Sequence, residues 1–130
     1  MQKELTNTVL VDNSAASTGY SSNPYACEDT RDKIFLLSFK EVTNSAYGFA
    51  SSGSTDDTAR RMTVSDYARA TGAYMSTSSS YYGNGYWWLR SPNYYSANGA
   101  RGVRYDGLAG NYNVFNDYYG VVPALQIRLN

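Results

Sequence analysis

Apolar residues in this chain come in short bursts separated by polar stretches, and the period inside each burst points to an element. The first burst is Val9 to Val11; Gln2 to Leu10 reads as the tail of a helix whose start is not visible. Residues 12–32 are rich in Ser, Asn, Gly and Pro, which predicts a long connection. The run IFLL within Lys33 to Leu37 predicts a strand. In Ser38-Phe39-Lys40-Glu41 a hydroxyl and a carboxylate stand three apart, the capping box that starts a helix. Phe39, Val42 and Ala46 follow at spacings of three and four, so a helix of about ten residues should end near Gly48. After the polar loop 50–58, Thr63-Val64-Ser65-Asp66 repeats the hydroxyl-to-acid pattern, Val64, Tyr67 and Ala68 supply a second buried stripe, and Gly72 is the stop.

Beyond the polar stretch 76–85 the period changes. Tyr86-Trp87-Trp88-Leu89-Arg90 is aromatic-rich and predicts a strand ended by Ser91-Pro92. Trp87 and Trp88 are adjacent, so they point to opposite faces: one enters the core, and the other either stacks on a sugar ring or underpins a binding face. Arg90 shares a face with Trp88 and is expected to pair with a carboxylate or with backbone carbonyls. From Asn93 to Tyr119, the residues Gly99, Gly102, Gly107 and Gly110 punctuate candidate strands around Val103 to Tyr105 and Tyr112 to Phe115, with Asp106-Gly107 as a hairpin turn. Val121 to Leu129 alternates Leu125, Ile127 and Leu129 against Gln126 and Arg128, a strand with one buried face. Helices early and strands late predict an α+β fold.

Composition narrows the function. The 130 residues carry 11 basic and 11 acidic side chains, so the chain lacks the positive field that nucleic acid or anionic lipid would require. No apolar run approaches the roughly 18 residues of a membrane helix, so no membrane insertion is expected. Only 17% of residues are charged while Tyr alone numbers 14, and the polarity comes from Tyr, Ser, Asn and Gly, the mixture of antibody-like contact loops. With no histidine, His-based triads and zinc sites are excluded. Cys27 has no partner for a disulfide and no His to activate it, and reads as a small apolar residue. Asp56-Asp57 and Glu28-Asp29 are incomplete as cation sites, and Arg60-Arg61 reads as a solvated pair. No cofactor is expected, and an enzyme ranks last because nucleophile, base and orienting partner find no occupants.

The window from Asn93 to Tyr119 concentrates the unusual chemistry, with six Tyr and five Asn and neither Lys nor Glu. Tyrosine offers a large rigid contact area with a hydrogen-bonding tip, and Asn, Ser and Gly add adaptable polar contacts, which suits a recognition face. The alternative is that these rings fill a β-rich core with their hydroxyls at the rim.

Trp87-Trp88-Leu89-Arg90-Ser91-Pro92, followed by Gly120-Val121-Val122-Pro123-Ala124-Leu125, resembles a bacterial and phage family of domains with a WWLRSP signature; the block from Asp32 to Phe49 matches the same family. The resemblance covers most of the chain. It implies a C-type lectin-like fold, with two helices packed on a small twisted antiparallel sheet and long loops. It also implies kinship with the formylglycine-generating-enzyme scaffold and membership among the variable proteins of diversity-generating retroelements. In those, reverse transcription errs at template adenines, so an Asn codon yields many residues but never Lys, Glu, Gln, Met or Trp; the window 93–119 lacks all five. Enzyme activity is not inherited, because a lone Cys27 cannot reproduce a cysteine pair, and Ser-Pro-Asn at 91–93 lacks the acid of calcium-dependent sugar sites.

On this resemblance residues 1–130 form one lectin-like domain, the C-terminal part of a longer protein, with 93–119 as its variable region. The expected location is a cell surface, a virion or the exterior. Ala100, Val103, Asp106, Gly107 and Val114 would be scaffold points. The ligand-binding positions would be Asn93, Tyr94, Tyr95, Ser96, Asn98, Arg104, Tyr105, Leu108, Tyr112, Asn113, Phe115, Asn116, Asp117 and Tyr118. The function expected is non-catalytic binding of a protein or cell-surface ligand. A carbohydrate-binding module is the alternative, and an oligomerising domain the third reading. Serine at Tyr94, Tyr105 and Tyr112 would then remove ligand capture while barely moving the melting temperature.

Overall fold

A computed structural model describes residues 8–127, and its first elements grow from the shortest apolar bursts. β1 (Val9–Val11) buries only Val11; of the helix tail expected over Gln2 to Leu10, Val9 and Leu10 are instead in this strand, drawn there by pairing with Asp32 and Arg31, and residues 2–7 lie outside the described residues. β2 (Thr30–Asp32) pairs with β1 antiparallel, Val9 opposite Asp32, and closes the polar connection into a loop. β3 (Phe35–Leu36) hands over to α1 (Phe39–Val42) through the predicted capping box: Glu41 N–H donates to Ser38 Oγ (3.1 Å) and Ser38 N–H to Glu41 Oε2 (2.7 Å).

The ten-residue helix does not form. Thr43 Oγ1 donates to the Phe39 carbonyl (2.8 Å), and Asn44 Oδ1 accepts from Ala46 N–H (3.0 Å). These local bonds draw the backbone into a separate 3₁₀ turn, Ser45–Tyr47, which ends at Gly48 and leaves Ala46 exposed. α2 (Asp66–Ala70) is capped by Ser65, whose Oγ accepts from Ala68 N–H (3.1 Å), rather than by Thr63, which bridges to Asn84 instead. Of its expected stripe, Val64 and Ala68 are half-buried while Tyr67 is 80% exposed.

β4 (Trp87–Pro92) alternates as a half-buried strand should: Trp87, Leu89 and Ser91 are buried, and Trp88, Arg90 and Pro92 face outward. β5 (Gly99–Val103) and β6 (Ala109–Asn113) complete an antiparallel sheet in the order β4-β5-β6. β7 (Pro123–Ala124) pairs with β3 as a second small sheet beside β1-β2. The described residues are therefore mixed α+β, with two short α-helices and three small antiparallel sheets. The expected final strand with a buried face is cut to two residues, because β3 offers only two residues of edge; Leu125 and Ile127 are exposed, and Leu129 lies outside the described residues.

The core is Val42, Trp87, Leu89 and Val103, flanked by Leu37, Phe39, Met62, Ala109 and Val122. Trp87 enters it and donates Nε1–H to the Arg60 carbonyl (3.1 Å). Arg90 meets its expectation, with Nη1 donating to the Leu36 carbonyl (2.7 Å) and to Glu41 Oε2 (2.5 Å), and Nη2 to the Asp12 carbonyl (3.0 Å). That set locks β4 to the α1 cap and to the loop after β1.

Arg60 is not the solvated residue that its sequence context suggests. It is fully buried, and its guanidinium donates to five carbonyls: Gly107 (2.7 Å), Val42 and Ala50 (3.0 Å each), Ser52 (2.9 Å) and Thr55 (2.6 Å). Five donors in a planar fork match five carbonyls from α1, the 50–58 loop and the β5-β6 turn. Asp57 at 3.6 Å offsets part of the charge. Arg61 is half-buried rather than freely solvated, with Nη2 donating to Asp56 Oδ1 (2.6 Å) and Nε to the Asp106 carbonyl (3.3 Å).

The β5-β6 turn shows why Asp106-Gly107 is a hairpin signal. Arg104 N–H donates to Leu108 O (2.8 Å), and Gly107 N–H to Arg104 O (2.9 Å) with Gly107 at φ +89°. A Cβ on Gly107 would lie 2.2 Å from the Asp57 carbonyl oxygen, a backbone atom held by the Arg60 network. Gly107→Ala is therefore expected to cost about 3 kcal/mol, read from the shift of the urea midpoint at unchanged m-value. A midpoint within error of the parent would show that the turn relaxes freely.

Candidate ligand-binding surface

Alternation along β5 and β6 divides their side chains between two faces. Val103 and Arg101 point to the side that holds the core and Phe39; Ala100, Gly102, Gly110 and Tyr112 point to the other side, with Trp88. Gly102 and Gly110 are not the turn residues expected of them. They are directly paired strand residues, and the space they leave is filled by rings. A Cβ on Gly102 would stand 3.1 Å from Tyr119 and 3.2 Å from Tyr112, and one on Gly110 would stand 3.0 Å from the Tyr112 hydroxyl.

An aromatic layer covers this glycine floor. Tyr119 stacks on Trp88 (4.1 Å between centroids), so Trp88 underpins the layer. Tyr112 packs against Tyr119 (5.3 Å), and Tyr86 sits at the centre, within 4.8 to 6.2 Å of Tyr119, Tyr105, Tyr118 and Tyr112. Tyr74 and Tyr81 extend it, each touching Tyr105. The tilted and edge-on geometries are those that aromatic quadrupoles favour. Backbone bonds pin the layer from beneath: Gly120 N–H donates to the Tyr86 carbonyl (2.8 Å) and Trp88 N–H to the Gly120 carbonyl (3.1 Å), while Tyr74 N–H donates to the Tyr118 carbonyl (2.9 Å). At the margin, the Tyr81 hydroxyl donates to Asp56 Oδ2 (2.8 Å).

The predicted positions divide between this layer and other places. Tyr105, Tyr112 and Tyr118 belong to it, the first two half-buried and Tyr118 exposed at its margin. Asn98, Asn113, Phe115 and Asp117 are exposed, with Ser96 and Asn116 half-buried, and Asn98 accepts from Val114 N–H through its carbonyl (2.9 Å). Tyr94 and Tyr95 form a separate exposed group with Tyr20, at centroid distances of 5.2 and 6.0 Å from it.

Three predicted positions serve the frame instead of the surface. Asn93 is buried, its Oδ1 accepting from Tyr95 N–H (3.1 Å) and its side chain lying against Gly99. Arg104 forms an ion pair with buried Asp106, and Leu108 N–H donates to Asp106 Oδ1 (3.1 Å), so these residues shape the hairpin turn. Two further expectations are also corrected. Val114, a proposed scaffold point, is 52% exposed, because β6 ends at Asn113 and the rim bond to Asn98 carries it outward. Cys27 is exposed, in the loop between β1 and β2, where its N–H donates to the Asn13 carbonyl (3.3 Å).

Sequence reasoning missed Tyr74, Tyr81 and Tyr86 as surface partners, because all three lie upstream of the window that begins at Asn93. It also missed Arg101. That residue is only 7% exposed, with its guanidinium over the rings of Phe39 (3.6 Å) and Tyr20 (4.6 Å). Burial lowers its pKa from the ordinary arginine value. Its Nε is sealed from solvent without an acceptor, and it forms no hydrogen bond or ion pair among the described residues. Cation–π attraction supplies on the order of 1–2 kcal/mol, less than the several kcal/mol by which an unmatched buried ion is penalised.

A family model described as a domain of unknown function, DUF6273, matches residues 1–129. The chain belongs to that family. No curated protein and no solved structure matches it. Among the described residues of this DUF6273 member, no helix is long and apolar enough to cross a membrane, and no group of three or more His, Cys, Asp or Glu is placed to hold a metal ion.

Burial also sets how this DUF6273 member responds to alkali. Removal from water pushes the Tyr112 hydroxyl up to about 12, with nearby Arg104 opposing. Burial likewise raises Tyr119 and Tyr86. Below pH 10 the folded and unfolded chains both keep these protons, so stability does not respond. Above it the unfolded chain ionises first, and stability falls as pH rises towards 12. Urea unfolding at pH 9 and pH 11 should show this loss, and Tyr112→Phe should reduce it; an equal loss in the variant would remove Tyr112 from the account.

Proposed function

We propose that this chain is a non-catalytic ligand-binding domain of C-type lectin-like type, a variable protein of a diversity-generating retroelement. Its tyrosine layer on the outer face of β4-β5-β6 engages a protein or cell-surface target. The observation that carries the reading is the layer itself: contiguous tyrosines, backed by Trp88 and a glycine pair, with Tyr74 and Tyr118 exposed at its margin. Rings held by one another lose little freedom on binding, so the surface is preorganised, and large aromatic anchors are the residues that dominate binding energy. Asn113, Asn116 and Asp117 lie next to Tyr112 and Tyr118 in the chain and supply adaptable polar groups.

The division between frame and surface is what a diversified domain requires. The WWLRSP strand and the Gly107 turn are tied by buried contacts, whereas Asn98, Asn113, Phe115, Asp117 and Tyr118 project from the structure. A display library randomised at Asn113, Phe115, Asn116, Asp117 and Tyr118 tests it. Most clones should remain folded, and selection against a purified globular protein should enrich micromolar or tighter binders. Loss of fold in most clones would refute the reading. In the source genome, a reverse transcriptase gene beside a near-copy of codons 93–119, differing at adenines, is the expected neighbourhood.

A further inference from the structure

Two buried guanidiniums in this chain are treated in opposite ways. Arg60 meets five carbonyls with five donors, which shows how the fold satisfies a structural arginine. Arg101 is almost as deeply placed and meets none among the described residues, with aromatic rings on its flanks in place of acceptors. Its guanidinium carbon lies 3.6 Å from the Phe39 ring centre and 4.6 Å from that of Tyr20, and a guanidinium without acceptors retains the planar donor fork that pairs with a planar anion through two parallel bonds. The rings beside it continue outward: Tyr20 contacts Tyr94 and Tyr95, and the latter is 74% exposed. Asn111, opposite Arg101 across the β5-β6 pair, donates Nδ2–H to the Tyr20 hydroxyl (3.4 Å) and steadies that ring.

We propose that Arg101 is the anion-recognising group of a second ligand site, formed with Tyr20, Tyr94 and Tyr95, which takes a carboxylate attached to an apolar or ring-shaped body. One guanidinium without a second cation beside it matches the single negative charge of a carboxylate; a phosphate dianion would remain half-neutralised. The exposed tyrosines then cover the body of the ligand, and the dry setting strengthens the charge-assisted pair. The site lies on the opposite face of the sheet from the tyrosine layer and does not depend on it.

Two sources could supply such a group, an acidic side chain of a peptide or an acidic sugar. The test is nitrogen-detected NMR of the arginine Nε–H groups of the intact chain, titrated separately with benzoate, N-acetylaspartate methylamide and methyl glucuronide. Benzamide and methyl glucoside serve as neutral controls. The Arg101 Nε–H resonance should shift saturably with benzoate at millimolar or lower concentration while that of Arg60 stays fixed, and neither neutral control should move it. The stronger of the two other acids identifies the source. Arg101→Lys, which keeps the charge but not the fork, should weaken benzoate binding at least tenfold. If that variant does not fold, the Arg60 resonance of the parent remains the internal reference. An Arg101 signal that follows benzamide equally, or shifts no more than that of Arg60, would overturn the proposal while leaving the tyrosine layer untouched.

Discussion

Replacing Arg60 by Met is expected to lower the melting temperature by roughly 15 °C, the largest effect of any single change away from the core tryptophan. The side chain is fully buried, and its removal takes the guanidinium donors away from five carbonyls at once. Each buried acceptor left unmatched costs on the order of 1 kcal/mol or more, so the loss reaches about 4 kcal/mol even after partial relaxation. Total stability for a domain of this size is of order 5–15 kcal/mol, so this one substitution removes a large share. Arg60→Lys should be nearly as harmful. An ammonium offers three donors from one point, and it cannot span carbonyls contributed by α1, the 50–58 loop and the β5-β6 turn. The loss also reaches Trp87, whose indole N–H donates to the Arg60 carbonyl. Calorimetric scans of both variants decide the matter: a fall of under 3 °C for Arg60→Met would mean the network is incidental.

Serine at Tyr112 and serine at Tyr95 should separate cleanly. Tyr112 covers the Gly102–Gly110 pair and supports Tyr119 and Tyr86, so its removal opens a gap over a floor that has no side chains of its own. A loss of about 2–3 kcal/mol is expected, seen as a fall of roughly 8–10 °C in melting temperature. Tyr95→Ser, at a largely exposed ring, should move it by less than about 2 °C. The sequence reading expects serine at Tyr94, Tyr105 and Tyr112 barely to move the melting temperature; the packing of Tyr112, and the three ring contacts and the Arg104 guanidinium on Tyr105, predict a larger loss at those two positions. Equal melting temperatures for the two variants would show that the layer carries no weight in the fold.

The residues behind these two expectations also mark where sequence reading succeeds and fails here. The capping box at Ser38 and Glu41, the opposed directions of Trp87 and Trp88, the carbonyl partners of Arg90 and the Asp106-Gly107 turn were legible, because each depends on residues a few positions apart. Arg60 was not. Nothing in Asp56-Asp57-Thr58-Ala59-Arg60-Arg61 distinguishes the buried guanidinium from the half-buried one, since the acceptors lie up to 47 residues away. The candidate surface was half legible: the window 93–119 contains Tyr105, Tyr112, Tyr118 and Tyr119 but places Tyr94 and Tyr95 in a different group. Gly102 and Gly110 misled, because a glycine that ends a strand and a glycine that makes room for a ring look alike in one dimension.

What the sequence determined by itself is the chemistry: a chain without histidine, short of charge and rich in tyrosine, whose α+β class follows from the periods of its apolar bursts. Which tyrosines form one surface, which arginine is structural and which is left unmatched were decided only in three dimensions. The reason is physical. Local periods and caps are set by bonds between near neighbours, whereas burial and hydrogen-bond satisfaction depend on which distant segments meet, and that is fixed when the strands pair.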